Sequence, residues 1–248
     1  MTYCVGLYLR NGLVFMSDTR TNAGVDNVSV FRKLHRWSVP GERALVLLSA
    51  GNLATTQAVV SILDERVKAP DERAPSLLEV PSMFQAAQLV GTTLRDVIAA
   101  YSSSGQTGES AFGATMILGG QIAGGEHRLF LIYPEGNFIE ASDDNPFFQI
   151  GETKYGRPIL VRALDRDMSF EDAVRLLMVS FDSTIKANLS VGLPLDLLVY
   201  NKDSLALEQP TRIQADDPYY TLISENWGQS LKDALVQLPP FSFGGGAP

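Results

Sequence analysis

A chain of 248 residues with 45% hydrophobic content can bury a substantial core, as one large domain or two small ones. Its 20 Lys and Arg against 28 Asp and Glu leave a net charge of -8, the wrong sign for a general phosphate-backbone binder, so nucleic acid is not an expected partner. Cys4 is the only cysteine and His35 and His127 the only histidines, which excludes an intramolecular disulfide framework and a structural zinc cluster and fits a reducing cytoplasm.

The first residues lack the basic, apolar and small-residue sequence of a signal peptide. The longest apolar runs, such as 44–50, are strand-length and far short of the roughly 20 residues that span a bilayer, so no membrane association is expected.

Residues 3–9 and 13–18 are apolar runs of strand length separated by Arg10-Asn11-Gly12. Asn-Gly between two such runs predicts a hairpin, so the chain begins inside a sheet. A loop with Asn22, Gly24, Asp26 and Asn27 follows, then strands over 28–38 and 43–50 joined at Pro40-Gly41. After Gly51-Asn52 the period becomes helical: Leu53, Val59, Val60, Ile62 and Leu63 predict a helix to about 68, with Asn52 as its N-cap. Pro70, Pro75 and Pro81 mark a loop over 69–81 before a second helix at 83–101, and 102–108 reads as a connection.

Strands are expected again at 112–119, 128–133, 137–141 and 147–150, with Gly119-Gly120 and Gly124-Gly125 in the loop between the first two. Helices at 153–164 and 170–187 come next, the second opened by Ser169 with Asp172 three positions on. Strands at 195–201 and 205–213 lead into a polar, aromatic segment that lacks periodicity and reads as a loose tail, about 240–248 at its end. The order of strands, two helices, strands, two helices and strands lacks the strand-helix alternation of a doubly wound sheet. It predicts an α+β sandwich in one domain, sheets inside and helices outside.

Chemistry is suggested by the extreme N-terminus. Removal of Met1 before a small residue would leave Thr2 with a hydroxyl and a free α-amine, whose unperturbed pKa of about 7.7–8.0 suits a general base near neutral pH. A threonine activated by its own amine is a known form of nucleophile. On position alone, threonine after the initiator methionine carries no catalytic meaning, so the surrounding pattern decides.

That pattern resembles the proteasome β-subunit family. Thr2 opens the first strand, and Ser17-Asp18-Thr19-Arg20 closes the second at the spacing of the family's Asp-Ser/Thr-Arg element. Lys33 lies where the family keeps its catalytic lysine, and Ser49-Ala50-Gly51-Asn52-Leu53-Ala54 is similar to its Ala-Gly-x-x-Ala element. The opening Met-Thr-Tyr-Cys-Val-Gly-Leu and the stretch from Asn188 to Tyr200 resemble the family's bacterial Anbu, or ancestral β-subunit, group.

The resemblance implies a four-layer αββα sandwich of the N-terminal-nucleophile hydrolase type, a threonine-type endopeptidase acting on peptide or unfolded protein, and a ring or spiral of identical copies. No metal or organic cofactor is implied. The catalytic set carried over is Thr2, Asp18, Lys33, Gly51 and Ser190. Lys33 alternates with Phe31, His35 and Trp37 on one expected strand face, where desolvation lowers its pKa; read without Asp18 it is a solvated lysine in a basic run. Gly51 at a strand-to-helix turn can offer its N–H to an oxyanion, or be an ordinary turn glycine. Ser190 corresponds to the serine that supports the threonine amine.

Three features depart from the pattern. Ala187 replaces the aspartate expected three positions before Ser190, and Asn188 stands next to it. Gly151-Glu152-Thr153 replaces a small Gly-Ser-Gly element. Simple hairpin register about Asn11-Gly12 also sets Asp18 opposite Val5, on the face away from Thr2. Two other readings remain open: a catalytically idle scaffold built on the same sandwich, and an N-terminal-nucleophile amidase acting on a small amide. Neither a Walker sequence nor a strand-linked G-x-G-x-x-G is present, so intrinsic ATPase activity is not expected and an ATP-dependent unfoldase partner is left unassigned.

Overall fold

The two opening apolar runs form a hairpin in the computed structural model, β1 (Tyr3–Leu9) with β2 (Gly12–Asp18). The structure describes residues 2–22, 28–69, 75–103, 109–241 and 243. Short strands β3 (Arg20–Asn22) and β4 (Val28–Val30) pair with each other, followed by β5 (Leu34–Val39) and β6 (Arg43–Gly51). Two helices, α1 (Leu53–Lys68) and α2 (Met83–Ser103), precede β7 (Ala114–Ile122), β8 (Arg128–Ile132), β9 (Phe138–Glu140) and β10 (Phe147–Gly151). The chain continues through α3 (Arg157–Ala163), α4 (Phe170–Ala187), β11 (Leu195–Asn201), β12 (Thr211–Ile213) and α5 (Pro218–Gln237).

Two five-stranded antiparallel sheets result, ordered β10-β1-β2-β11-β12 and β5-β6-β7-β8-β9. Alternation along β6 shows how they stack. Val46 and Leu48 join Cys4, Phe15, Ile117 and Ile150 between the sheets, while Leu45 and Leu47 face the other way and pack with Val59, Leu63, Val90 and Leu94 of α1 and α2. Both faces of β6 are therefore covered, which is why 44–50 reads as an unbroken apolar run. On the first sheet Tyr3, Val5 and Leu7 pack outward with Leu177 and Phe181 of α4. The layers are α, β, β, α, and each fully buried Leu or Phe contributes about 1.5–3 kcal/mol. The helix starts follow the capping rules: Asn52 Oδ1 accepts from Thr55 N–H and Ser169 Oγ from Asp172 N–H.

Several expectations are corrected. Leu9 pairs with Gly12, so Arg10 and Asn11 make the turn and Asp18 comes level with Tyr3, not Val5. Gly12 is needed in the strand, because a side chain there would strike the Tyr200 carbonyl of β11. The expected strand 28–38 breaks at 31–33: Phe31 N–H donates to Thr19 O, and Lys33 lies in the connector. Gly119 and Gly120 are inside β7, where the Phe15 ring occupies the space a side chain at 119 would need.

Other boundaries also move. The strand expected from 112 is preceded by a 3₁₀ turn at Glu109–Phe112, the first of the later helices shortens to α3, and only Thr211–Ile213 of 205–213 is strand. The largest correction is α5, which replaces most of the unstructured C-terminal segment. Asp217 Oδ1 caps it by accepting Tyr220 N–H, and Pro218 occupies its first turn. Gly24, Asp26, Asn27, Pro70, most of the 102–108 connection and most of the 240–248 tail lie outside the described residues.

Candidate active site

The end of β2, the connector before β5 and the end of β6 converge beside Thr2. Asp18 ends β2 with a fully buried side chain, and its Oδ1 accepts from the Tyr3 N–H at 2.9 Å and from Lys33 Nζ at 2.7 Å. Lys33 Nζ also donates to the Arg20 carbonyl at 2.6 Å. The carboxylate lies at the strand end against backbone, and the lysine arrives from the connector that leads into β5 of the other sheet. Asp18, level with Tyr3, is thereby tied both to the backbone next to Thr2 and to Lys33.

The break that removes Lys33 from a strand is what frees it to reach across. Its own carbonyl still accepts from Ser49 N–H at 3.0 Å, the last rung between this segment and β6. Burial pushes the Asp18 carboxyl above its ordinary value, while Lys33 and the N–H groups of Tyr3 and Gly192 pull it down. Behind the pair, the Cys4 thiol points at the Ser49 carbonyl, and burial pushes it up, with Asp18 adding to the effect.

Thr2 is itself nearly buried, and its carbonyl accepts from Glu152 N–H at 2.7 Å. Gly151, at φ +84°, makes this approach possible: a side chain there would fall 1.9 Å from the Thr2 carbonyl oxygen. Gly51, at φ +119°, lies across the cleft, where a side chain would meet the Gly113 carbonyl at 2.5 Å. Asn52 N–H bonds toward β7, so the alternation of an antiparallel ladder directs the Gly51 N–H to the β5 side, beyond its last rung and toward the cleft.

The cleft has a volume of about 780 Å³ and is lined by Thr2, Lys33, Ser49 and Gly51 at one end. It continues between β5 and α1, past His35, Leu53, Gln57 and Val60. Burial holds His35 below its ordinary imidazole value against the opposing pull of Asp64. Asp64 also accepts the Trp37 indole N–H at 2.7 Å, tying α1 to β5 along this wall.

Four of the five expected residues are thus gathered: Thr2, Lys33 and Gly51 on the cleft and Asp18 beneath Lys33. Ser190 is placed differently. It is not among the cleft-lining residues, and its N–H donates to Asn188 Oδ1 at 2.9 Å in a turn after α4. That turn is joined to the Thr2 strand pair through Asn188 Nδ2, which donates to Glu152 Oε2 at 2.9 Å. Two residues that departed from the family pattern therefore bond to each other beside Thr2. Their partnership is not local in sequence, since it requires β10 beside β1 and α4 above both. Among the described residues no group of three or more His, Cys, Asp or Glu could hold a metal, and no helix is long and apolar enough to cross a membrane.

A family model described as proteasome subunit matches residues 2–192. Among solved structures, Anbu (ancestral beta-subunit) from Yersinia bercovieri is 50% identical, with 97% of this chain and 100% of that chain covered and a TM-score of 0.90. The Anbu (Gly-1) mutant from Hyphomicrobium sp. strain MC1 is 48% identical, with coverage of 98% and 100% and a TM-score of 0.90. A helical assembly of the Anbu complex from Pseudomonas aeruginosa is 48% identical, with coverage of 98% and 100% and a TM-score of 0.91. No curated protein matches the chain. With its layered sheets and helices, and a family match over most of its length, the chain belongs to the proteasome-subunit family of N-terminal-nucleophile hydrolase fold, within the Anbu group.

Proposed function

We propose that the chain is a threonine peptidase whose nucleophile is Thr2 after Met1 is removed, working as a subunit of an assembly of identical copies. The observation that carries this reading is the convergence of Thr2, Lys33 and Gly51 on one cleft above the buried Asp18–Lys33 pair. With Met1 attached the Thr2 nitrogen is an amide; cleavage unmasks an amine that can accept a proton. Thr2 Oγ attacks the peptide carbonyl, its proton passes to that amine directly or with help from Lys33, and the Gly51 N–H stabilises the tetrahedral oxyanion. The protonated amine then returns its proton to the leaving nitrogen, and water hydrolyses the ester.

A cleft that extends from Thr2 along α1 suits a peptide better than a single small amide. Self-association is supported by the related Pseudomonas aeruginosa protein, which forms a helical assembly. The single, buried thiol of Cys4 suits a reducing compartment, the cytoplasm. Intact mass of the purified protein, before and after exposure to a β-lactone, tests the reading with Thr2→Ala alongside. Loss of Met1 and one adduct that disappears in Thr2→Ala are expected. Turnover retained in Thr2→Ala sinks the Thr2 peptidase, while retained Met1, or processed parent protein that never labels, leaves the idle scaffold.

A further inference from the structure

The cleft beside Thr2 is lined by nitrogen bases and by no acid. Among the described residues, none of the fifteen that line it is Asp or Glu, although 28 of the 248 residues in the chain are, and Arg32, Lys33 and His35 all reach it. Lys33 is already matched by Asp18 at 2.7 Å. Arg32 is not. It is exposed in the connector before β5, and among the described residues its guanidinium has neither an ion-pair nor a hydrogen-bond partner. The His35 imidazole likewise has no hydrogen-bond partner among the described residues.

The carboxylates whose charge acts on His35 are held elsewhere. Asp64 accepts the Trp37 indole N–H at 2.7 Å, and Asp196 accepts Arg212 at 2.8 and 2.9 Å. Helix α1 adds potential of the same sign as Arg32: its first residue, Leu53, lines the cleft, and its first turn has no acidic residue to offset the helix dipole. A guanidinium with its fork free, next to an imidazole, is chemistry that binds a carboxylate.

The reaction places that carboxylate. The side chain of the residue under attack branches from the carbon next to its carbonyl, so with the carbonyl between Thr2 and Gly51 it enters the cleft at this end. Buried Val60 offers apolar surface to a methylene stem, and exposed Gln57 and Ser61 keep the solvent side polar. We propose that the cleft selects peptides with an acidic side chain on that residue, with Arg32 setting the preference and His35 making the second contact. The proposal rests on the peptidase reading above and names its substrate class. A lysine side chain would bring a second cation beside Arg32 with no carboxylate to receive it, and a leucine would bond to neither Arg32 nor His35.

Fluorogenic peptides acetyl-Ala-Ala-Xaa-aminocoumarin, with Glu, Gln, Leu or Lys as Xaa, test this on the full chain. The variants are Arg32→Ala, Arg32→Glu and Arg162→Ala, the last removing the same charge from α3 in the opposite helix layer. The value of kcat/KM for Glu exceeds that for Gln by about ten-fold in the parent and in Arg162→Ala. That preference disappears in Arg32→Ala, and Arg32→Glu turns over the Lys peptide best. Circular dichroism checks that the variants keep the fold, and the ranking of the four peptides by the parent does not depend on them. A parent that prefers Leu or Lys, or a Glu preference that survives Arg32→Ala, overturns the proposal and leaves the peptidase standing. If no peptide is turned over, the peptidase reading fails separately, and fluorescence polarisation of fluorescein-labelled Ala-Ala-Xaa-Ala-Ala reads the cleft directly. Binding of the Glu peptide about ten-fold tighter than the Gln peptide, and lost in Arg32→Ala, then upholds the acidic preference. Equal binding, or none, overturns it as well.

Discussion

Lys33→Met separates the two roles assigned to the buried pair. The substitution keeps the length and apolar stem of the side chain but removes the cation 2.7 Å from a carboxylate with 0% side-chain exposure. Breaking one partner of a buried pair costs about 3–5 kcal/mol while the remaining charge stays ionised. For a chain of this size, that corresponds to a fall in Tm of roughly 10 °C. Asp18 can escape by taking up a proton. Its folded-state pKa is already raised by burial, and loss of Lys33 removes the largest opposing influence.

A carboxyl raised in the folded state destabilises at pH above that folded value, and the penalty fades as pH falls through it toward the unfolded value of about 3.9. The deficit of Lys33→Met is therefore largest near pH 8 and shrinks on acidification. In Lys33→Met/Asp18→Asn that deficit and its pH dependence are both lost. Denaturant unfolding of the parent and the two variants between pH 5 and pH 8 measures this, and β-lactone labelling of the same samples reports on Thr2, which loses reactivity in both variants. A Lys33→Met deficit below about 1 kcal/mol at pH 8, or one that grows as pH falls, refutes the reasoning.

Three further outcomes follow from the same site. Gly51→Ala should cost at least about 2 kcal/mol in denaturant unfolding, because its φ of +119° and the Gly113 carbonyl at 2.5 Å both oppose a Cβ, and it should also abolish labelling; wild-type stability would show that the turn relaxes freely. Protonation of Asp18 releases its hold on Lys33, so the acid limb of the pH–rate profile should lie above the ordinary carboxyl value of about 3.9, and a profile flat down to that value would remove Asp18 from the mechanism. Cys4 should resist iodoacetamide in the native protein at pH 8 and take one equivalent after unfolding, since burial both shields the thiol and pushes its pKa up; native alkylation would mean that the cleft opens to the sheet interface.

The sequence alone carried the local signals. Period-2 and unbroken apolar runs located β1, β2 and β6, and helical spacing behind Asn52 and Ser169 located α1 and α4, whereas Thr2, Asp18, Lys33 and Gly51 were singled out by the resemblance to the family's motifs and by no local signal of their own. The element signals are local because strand alternation, capping and turn chemistry are satisfied within a few residues. Where they failed, the deciding partner was distant. Gly12 and Gly119 look like turn glycines until Tyr200 and Phe15 are seen to need their space, and Lys33 leaves its strand because Asp18 and the Arg20 carbonyl compete for it. The helix α5 is legible but not among the expected elements: Asp217-Pro218 is a helix start and Leu231, Ala234, Leu235 and Leu238 stand at helical spacing, although most of its apolar residues have no core beneath them. The Glu152–Asn188 link and the displacement of Ser190 from the cleft were likewise decided by tertiary structure, because pairing β10 with β1 and laying α4 over them are what bring residues 2, 152 and 188 together.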